Sequence, residues 1–263
     1  MLVENKIVVI SGMGPGLGVK LAILAAQEGA AGVVMAGRSQ QKLDEAEQEV
    51  RNAGLNTPVL KVPTDIARRA DCDRLADLVV EHFGRIDGLV NNAYFHGEMM
   101  TAEHAVLDEW RKSMEVNLFG TMNMTLAVIP HMKKAGGGSI VMINTMATRK
   151  PFPPEAGYSA SKAALSTSAA YLAEDVGKYG IRVNSAYMGW MGGASLDAYF
   201  EQQAKEHNIS VEALQAELAK DIPLRRIVQD TECAKAALFL VSDYASGMTG
   251  AQLDVNGGHY LPR

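Results

Sequence analysis

Tyr158 and Lys162 are four residues apart in Tyr158-Ser159-Ala160-Ser161-Lys162, thirteen residues after Thr145. On a helix that spacing puts both on one face. An ammonium beside a phenol favours the phenolate and lowers its pKa from about 10. A tyrosine so placed can donate or accept a proton near neutral pH. A Tyr-x-x-x-Lys pair by itself is common. Here it lies downstream of a glycine-rich turn, Ser11-Gly12-Met13-Gly14-Pro15-Gly16-Leu17-Gly18, which follows an apolar run and opens a helix-like stretch. Glycines at such a turn let the backbone approach a pyrophosphate closely, with the phosphates on the helix amino terminus. That strand–turn–helix context separates a dinucleotide site from an ordinary glycine turn.

About twenty residues further on, a site for NAD presents an acid to the ribose 2′-hydroxyl. The second apolar run ends instead in Ala36-Gly37-Arg38-Ser39. Arg38 can pair bidentately with a 2′-phosphate, which favours NADP(H) over NAD(H). The alternative is a solvent-facing arginine at a helix start, and NAD(H) stays open.

The elements that must position these groups alternate regularly. Short β-branched runs at 7–10, 33–36, 59–62, 86–90, 140–143, 181–184 and 252–255 read as strands. Helix-like stretches at 17–28, 40–53, 68–83, 108–134, 157–178 and 231–241 lie between them. Fully apolar strands alternating with helices predict an α/β fold: a Rossmann-type, doubly wound parallel sheet of about seven strands, helices on both faces. No Pro- or Ser-rich linker divides the chain, so 1–263 reads as one domain. Residues 194–221 break the rhythm and predict two short helices, about 195–207 and 210–221, with Ser210 as an N-cap. An insertion after a strand's carboxyl end lies where ligands bind, so a substrate lid is favoured over a packing subdomain.

Composition narrows the partners. Hydrophobic residues make up 48% of 263, enough for a large core, and the net charge of −5 argues against nucleic acid. Two cysteines, Cys72 and Cys233, form neither a disulfide framework nor a metal motif. With no signal-like start and no apolar run near the roughly 20 residues that span a bilayer, a cytoplasmic chain without a membrane segment is expected.

These residues resemble the classical short-chain dehydrogenase/reductase family end to end. Its glycine motif corresponds to Ser11–Gly18, its adenine-contacting Asp and following hydrophobic residue to Asp65-Ile66, and its Asn-Asn-Ala-Gly to Asn91-Asn92-Ala93-Tyr94. Its catalytic Asn, Ser, Tyr and Lys correspond to Asn117, Thr145, Tyr158 and Lys162, and its Asp-Gly-Gly to Asn256-Gly257-Gly258. The resemblance implies hydride transfer between a nicotinamide cofactor and a secondary alcohol or ketone. Tyr158 would exchange the proton and Thr145 would hydrogen-bond the oxygen. Lys162 would lower the phenol and hold the ribose, and Asn117 would hold a water behind Lys162. It also implies a homotetramer paired through the helices near 108–134 and 157–178.

The departures are Thr145 for serine, Tyr94 for glycine, Met188-Gly189 for Pro-Gly, Gly193 for a threonine, and Pro15 where many NADP-dependent members carry a cation. Gly189 is still counted with the cofactor site. Tyr94, His96, Met146, Phe152, Tyr187, Trp190 and Met191 flank the expected site and suggest an apolar, cyclic or aromatic small molecule. Arg149-Lys150 reads as a solvated loop pair. A 3-oxoacyl-thioester reductase and a non-catalytic nucleotide-binding regulator are the rival functions.

Overall fold

The computed structural model describes residues 1–262; Arg263, the last residue of the expected domain, lies outside the described residues. Seven strands form one parallel sheet: β1 (Ile7–Ser11), β2 (Gly32–Gly37), β3 (Val59–Pro63), β4 (Gly88–Asn91), β5 (Gly138–Thr145), β6 (Ile181–Met188) and, at the far edge, β9 (Gln252–Val255). Their order is β3-β2-β1-β4-β5-β6-β9. The order reverses direction between β1 and β4, and that switch point opens a crevice at the carboxyl ends of the strands. Two further two-residue strands, β7 (Met191–Gly192) and β8 (Val228–Gln229), pair in parallel just beyond β6; the sequence patterning did not predict them.

Helices α1 (Leu17–Gln27), α2 (Gln40–Asn52) and α9 (Asp230–Val241) cover one face. Helices α3 (Arg69–Phe83), α5 (Thr121–Ala135) and α6 (Ala156–Val176) cover the other. Strand alternation divides the core accordingly. Val8, Ile10, Val141 and Ile143 pack toward the first layer; Ile7, Val9, Ile140 and Met142 pack toward the second. The expected strands are all present, and so are the expected helices other than 108–134, with bounds shifted by a few residues.

The expected single helix at 108–134 is three pieces. Helix α4 (Leu107–Met114) runs into a π-helical stretch, Glu115–Gly120, and then into α5. A wide turn of this kind is frequent at functional sites, and it holds Asn117. Gly120 closes it against Ile66, where a Cβ would lie 2.9 Å from Ile66 Cγ1.

The 194–221 interval folds as α7 (Ala194–His207) and α8 (Val211–Lys220). Ser210 caps α8 by accepting from Ala213 N at 3.1 Å, as expected. Leu196 and Phe200 anchor α7, whereas no residue of α8 is buried among the described residues. No helix among the described residues is long and apolar enough to cross a membrane, and no group of His, Cys, Asp or Glu among them could hold a metal ion.

Candidate functional site

The glycine turn after β1 contains two kinds of glycine. Gly12 has φ +88°, and a Cβ there would fall 2.5 Å from the Ala93 backbone; one on Gly18 would fall 2.3 Å from Gly12 O. Both positions are therefore needed by the fold. A Cβ on Gly14 or Gly16 would meet nothing within 4 Å, so the space above the turn is open. Asn92 braces the turn, its Nδ2 donating to Gly12 O at 2.7 Å. The amino terminus of α1 has no side-chain cap, so its N–H groups face that space. Uncapped N–H groups under an open glycine cradle fit a pyrophosphate.

The other cofactor candidates follow at neighbouring strand ends. Pro15 is exposed and Leu17 is core, so Leu17 offers only its backbone. Arg38, just past β2, is exposed and has no ion-pair partner among the described residues. Ser39 caps α2, its Oγ accepting from Lys42 N at 3.4 Å. Asp65 Oδ1 accepts from Ala67 N at 3.1 Å, while Ile66 is buried against Gly120. At Gly189 a Cβ would lie 2.6 Å from Asn256 Cβ, so that glycine serves the close packing of β6 on the Asn256 turn.

The chemistry-bearing side chains collect at the ends of β4 and β5 and on the first turns of α6. Lys162 is 1% exposed, and its Nζ donates to Ile143 O at 2.8 Å. Burial pushes its ammonium down to about 8. Asn117 binds both polar groups of Phe95: its Oδ1 accepts from Phe95 N at 2.7 Å, and its Nδ2 donates to Phe95 O at 2.8 Å. The same Nδ2 donates to Ser161 Oγ at 2.9 Å, and Ser161 Oγ donates to Tyr158 O at 2.6 Å. The π-helical turn is thereby tied to the backbone of Tyr158. Thr145 Oγ1 accepts from Ala147 N at 3.2 Å, which leaves its O–H free to donate.

Tyr158 departs from the expectation of a lowered phenol. Its ring packs between His96, stacked at 4.8 Å, and Tyr94, edge-on at 6.2 Å. Loss of hydration raises its pKa well above the ordinary tyrosine value, and the nearby Glu155 carboxylate and Tyr94 add to the rise. Lys162 shares its helix face, but its Nζ is 6.0 Å from the ring centroid and turned to Ile143 O. Desolvation dominates the shift.

Beside these groups lies an open cleft with a cavity volume of about 150 Å³. Of the expected substrate residues, Met146, Phe152, Trp190 and Met191 line it, as do Thr145 and Gly189. Phe152 and Trp190 meet edge to face at 5.3 Å, and Tyr199 of α7 lies 6.1 Å from Trp190. Tyr94 and His96 are not on the cleft wall; they pack on Tyr158. Tyr187 is a correction. It is 1% exposed, hydrogen-bonded to Ser166 and covered by the Arg149 guanidinium at 3.7 Å. Strand alternation points it at α6, away from the cleft, while Met188 beside it lines the wall.

Arg149 is a second correction. It is mostly buried and donates to both carboxylate oxygens of Asp254 at 2.7 Å, across 105 residues of sequence. The reading of a solvated pair missed this partner. Ala147, Pro151, Glu155 and His259 also line the cleft and were missed from the sequence, as were the cleft positions of Met188 and Lys150, which had been read in other roles. Glu155 had a signal, since it precedes Tyr158 by three residues.

A family model described as enoyl-(acyl carrier protein) reductase matches residues 12–260. Dehydrogenase/reductase SDR family member 4 of Bos taurus is 32% identical over 258 residues, 97% of this chain and 87% of the relative. NAD+-bound xylitol dehydrogenase superposes with a TM-score of 0.88 at 28% identity, covering 97% of this chain and 99% of that one. L-sorbose reductase from Gluconobacter frateurii, complexed with NADPH and L-sorbose, gives 0.91 at 28% identity, covering 98% of each chain. With a switch-point crevice, an open glycine cradle and a Tyr–Lys pair on one helix face, the chain belongs to the short-chain dehydrogenase/reductase family, NAD(P)-dependent oxidoreductases acting on CH–OH groups.

Proposed function

We propose that this chain interconverts a secondary alcohol and its ketone with NADP(H), on a substrate whose carbon frame is apolar or cyclic. The observation that carries the reading is the buried ammonium of Lys162, one helical turn from Tyr158 and bonded to Ile143 O, two residues before Thr145. A charge held out of water is costly to keep, and that cost is explained by a task in catalysis.

The nicotinamide, when bound, supplies or takes the hydride. Gly14, Gly16 and the amino terminus of α1 would hold the pyrophosphate, Asp65 the adenine side, Lys162 the ribose, and Arg38 the 2′-phosphate. In ketone reduction the Thr145 hydroxyl donates to the oxygen as negative charge grows there, and Tyr158 donates the proton. A raised phenol suits that direction, because it is protonated at neutral pH. In alcohol oxidation the phenolate is needed, and Lys162 stabilises it. Asn117 keeps the Phe95–Ser161–Tyr158 chain in register; with its N–H groups committed, it meets a water behind Lys162 only through Oδ1. The pocket's Met146, Phe152, Trp190 and Met191 give an apolar wall, and the aromatic contact from α7 supports a lid over it.

A panel of cyclic and linear secondary alcohols and ketones, run with both cofactors, tests the reading. Cofactor absorbance should change fastest with NADP+ or NADPH and a cyclic substrate. The acyl-carrier description of the matching family model favours a second reading, a 3-oxoacyl-thioester substrate. Faster reduction of an acetoacetyl thioester than of any cyclic ketone in the same panel would select it.

A further inference from the structure

Glu155 stands out on the cleft wall. Its side chain is 19% exposed, and its backbone is fixed on both sides. Glu155 N donates to Phe152 O at 2.9 Å, and Glu155 O accepts from Ser159 N at 2.8 Å at the start of α6. A bridge to Met100 fastens the same residue to the loop after β4. One carboxylate oxygen, Oε1, lies 3.2 Å from His96 Nε2, and His96 in turn stacks on Tyr158. The other oxygen takes no hydrogen bond among the described residues. Glu155 lines the same cleft as Thr145.

A carboxylate oxygen with no protein partner can accept from a donor that enters the cleft and displaces water. The charges on the wall decide which donor. Glu155 repels an anionic ligand, and Lys150 on the same wall repels a cationic one. A neutral hydroxyl satisfies the carboxylate without opposing the ammonium. The apolar residues around it, Met146, Phe152 and Trp190, cover the substrate's carbon frame.

We infer that Glu155 is a specificity-determining residue whose free carboxylate oxygen accepts a hydrogen bond from a second hydroxyl of the substrate, on a carbon next to the reacting one. The substrate class is a vicinal diol in oxidation and the matching α-hydroxyketone in reduction. This deepens the alcohol–ketone reading and rests on it. His96 orients the carboxylate and carries it against the Tyr158 ring, so the second hydroxyl is placed relative to the proton donor.

The test compares trans-cyclohexane-1,2-diol with cyclohexanol, as substrates with NADP+ and as ligands read by quenching of tryptophan fluorescence in a Trp110→Phe background, which leaves Trp190 as the reporter. Wild type should prefer the diol at least tenfold in kcat/KM. Glu155→Gln, which keeps the shape and a contact to His96, should cut that ratio by about 10-fold, the loss expected for a hydrogen bond to a charged acceptor. Glu155→Ala should cut it further. An equal loss on both substrates would assign Glu155 to support of Tyr158 alone and overturn the inference. So would an unchanged ratio, or tighter binding of trans-2-aminocyclohexanol than of the diol. The binding arm separates the two levels. A diol preference in fluorescence that disappears in Glu155→Gln, without turnover of either compound, upholds the hydroxyl site and defeats the alcohol–ketone reading. Turnover of both compounds with no diol preference does the reverse.

Discussion

Tyr158 and Lys162 sit four residues apart in the chain, yet burial moves them in opposite senses: the phenol up, the ammonium down. Both shifts favour neutral forms, so the pH dependence has two distinct signatures. Alcohol oxidation needs the phenolate, so its kcat should climb as pH rises from 7 to 10, while ketone reduction should not climb. Tyr158→Phe should keep cofactor affinity and lose nearly all turnover in both directions; near-wild-type kcat would remove Tyr158 from the proton step. For stability the sign follows from Lys162. Its folded value, about 8, lies below the ordinary value of 10.5. The unfolded chain therefore binds more protons between those limits, and stability contributed at this site rises across that window. Below about pH 8 the full cost of the buried charge is present. Urea midpoints at pH 7 through 10 should show a wild-type gain that Lys162→Met lacks. Arg38→Asp gives a third test: it should weaken NADP+ and improve NAD+, and an unaltered kcat/KM ratio for the two cofactors would turn Arg38 into a solvent-facing residue. The spacing of Tyr158, Lys162 and the glycine turn was legible in the sequence because it is local. The direction of the phenol shift was not, because His96, Tyr94 and Glu155 set it from another loop and from the helix start. Tyr187 was misread for a reason within reach: counting residues along β6 puts it on the α6 side.

At the scale of elements, the glycine turn shows how one motif serves both fold and ligand. Gly12 and Gly18 are excluded from carrying a Cβ by backbone atoms 2.5 and 2.3 Å away, whereas Gly14 has open space around it. Gly12→Ala also strains a left-handed φ of +88°. It should lower stability by about 2–4 kcal/mol, in the range of changes that force backbone apart. Gly14→Ala should leave the urea midpoint near wild type and weaken cofactor binding tenfold or more, since only a ligand occupies that space. Equal destabilisation by both variants would show the two glycines to be structural alike. The sequence pattern placed the strands and most helices within a few residues because apolar runs and amphipathic stretches report burial directly. It could not show the π-helical turn at Glu115–Gly120, since one widened turn leaves the helical periodicity of 108–134 almost intact. That turn nevertheless sets Asn117 on Phe95 and Ser161, and so fixes the backbone under Tyr158.

For the whole molecule, the strand ends bring Gly14, Arg38, Asp65, Asn92, Thr145 and Gly189 to one edge of the sheet, although 175 residues of chain separate the first from the last. Parallel topology does this by geometry: every strand points its carboxyl end the same way. The opposite requirement, covering the sheet, leaves an unusual surface. Along the π-helical turn and α5, Phe119 is 55% exposed and Leu126 41% exposed, spaced seven residues apart on one side of the helix. On α6 the exposed face carries Ala163, Thr167 and Ala170 with Tyr171, which is 73% exposed. Small residues on one helix and apolar ones on its neighbour allow close approach of a second copy about a twofold axis. We therefore propose that these helices pair into the four-helix contacts of a homotetramer. Such a contact should fail when charge is placed in it, because burying an unpaired charge is expensive. Light scattering at micromolar concentration should give four times the 28.2 kDa chain mass for wild type. Leu126→Glu combined with Ala170→Glu should give a smaller species with a lower melting temperature. Their positions, exposed in the single chain, mean that the substitutions leave its own core untouched. A wild-type mass of one chain would therefore reject the pairing outright, and an unchanged tetramer in the double variant would move the interface to another face.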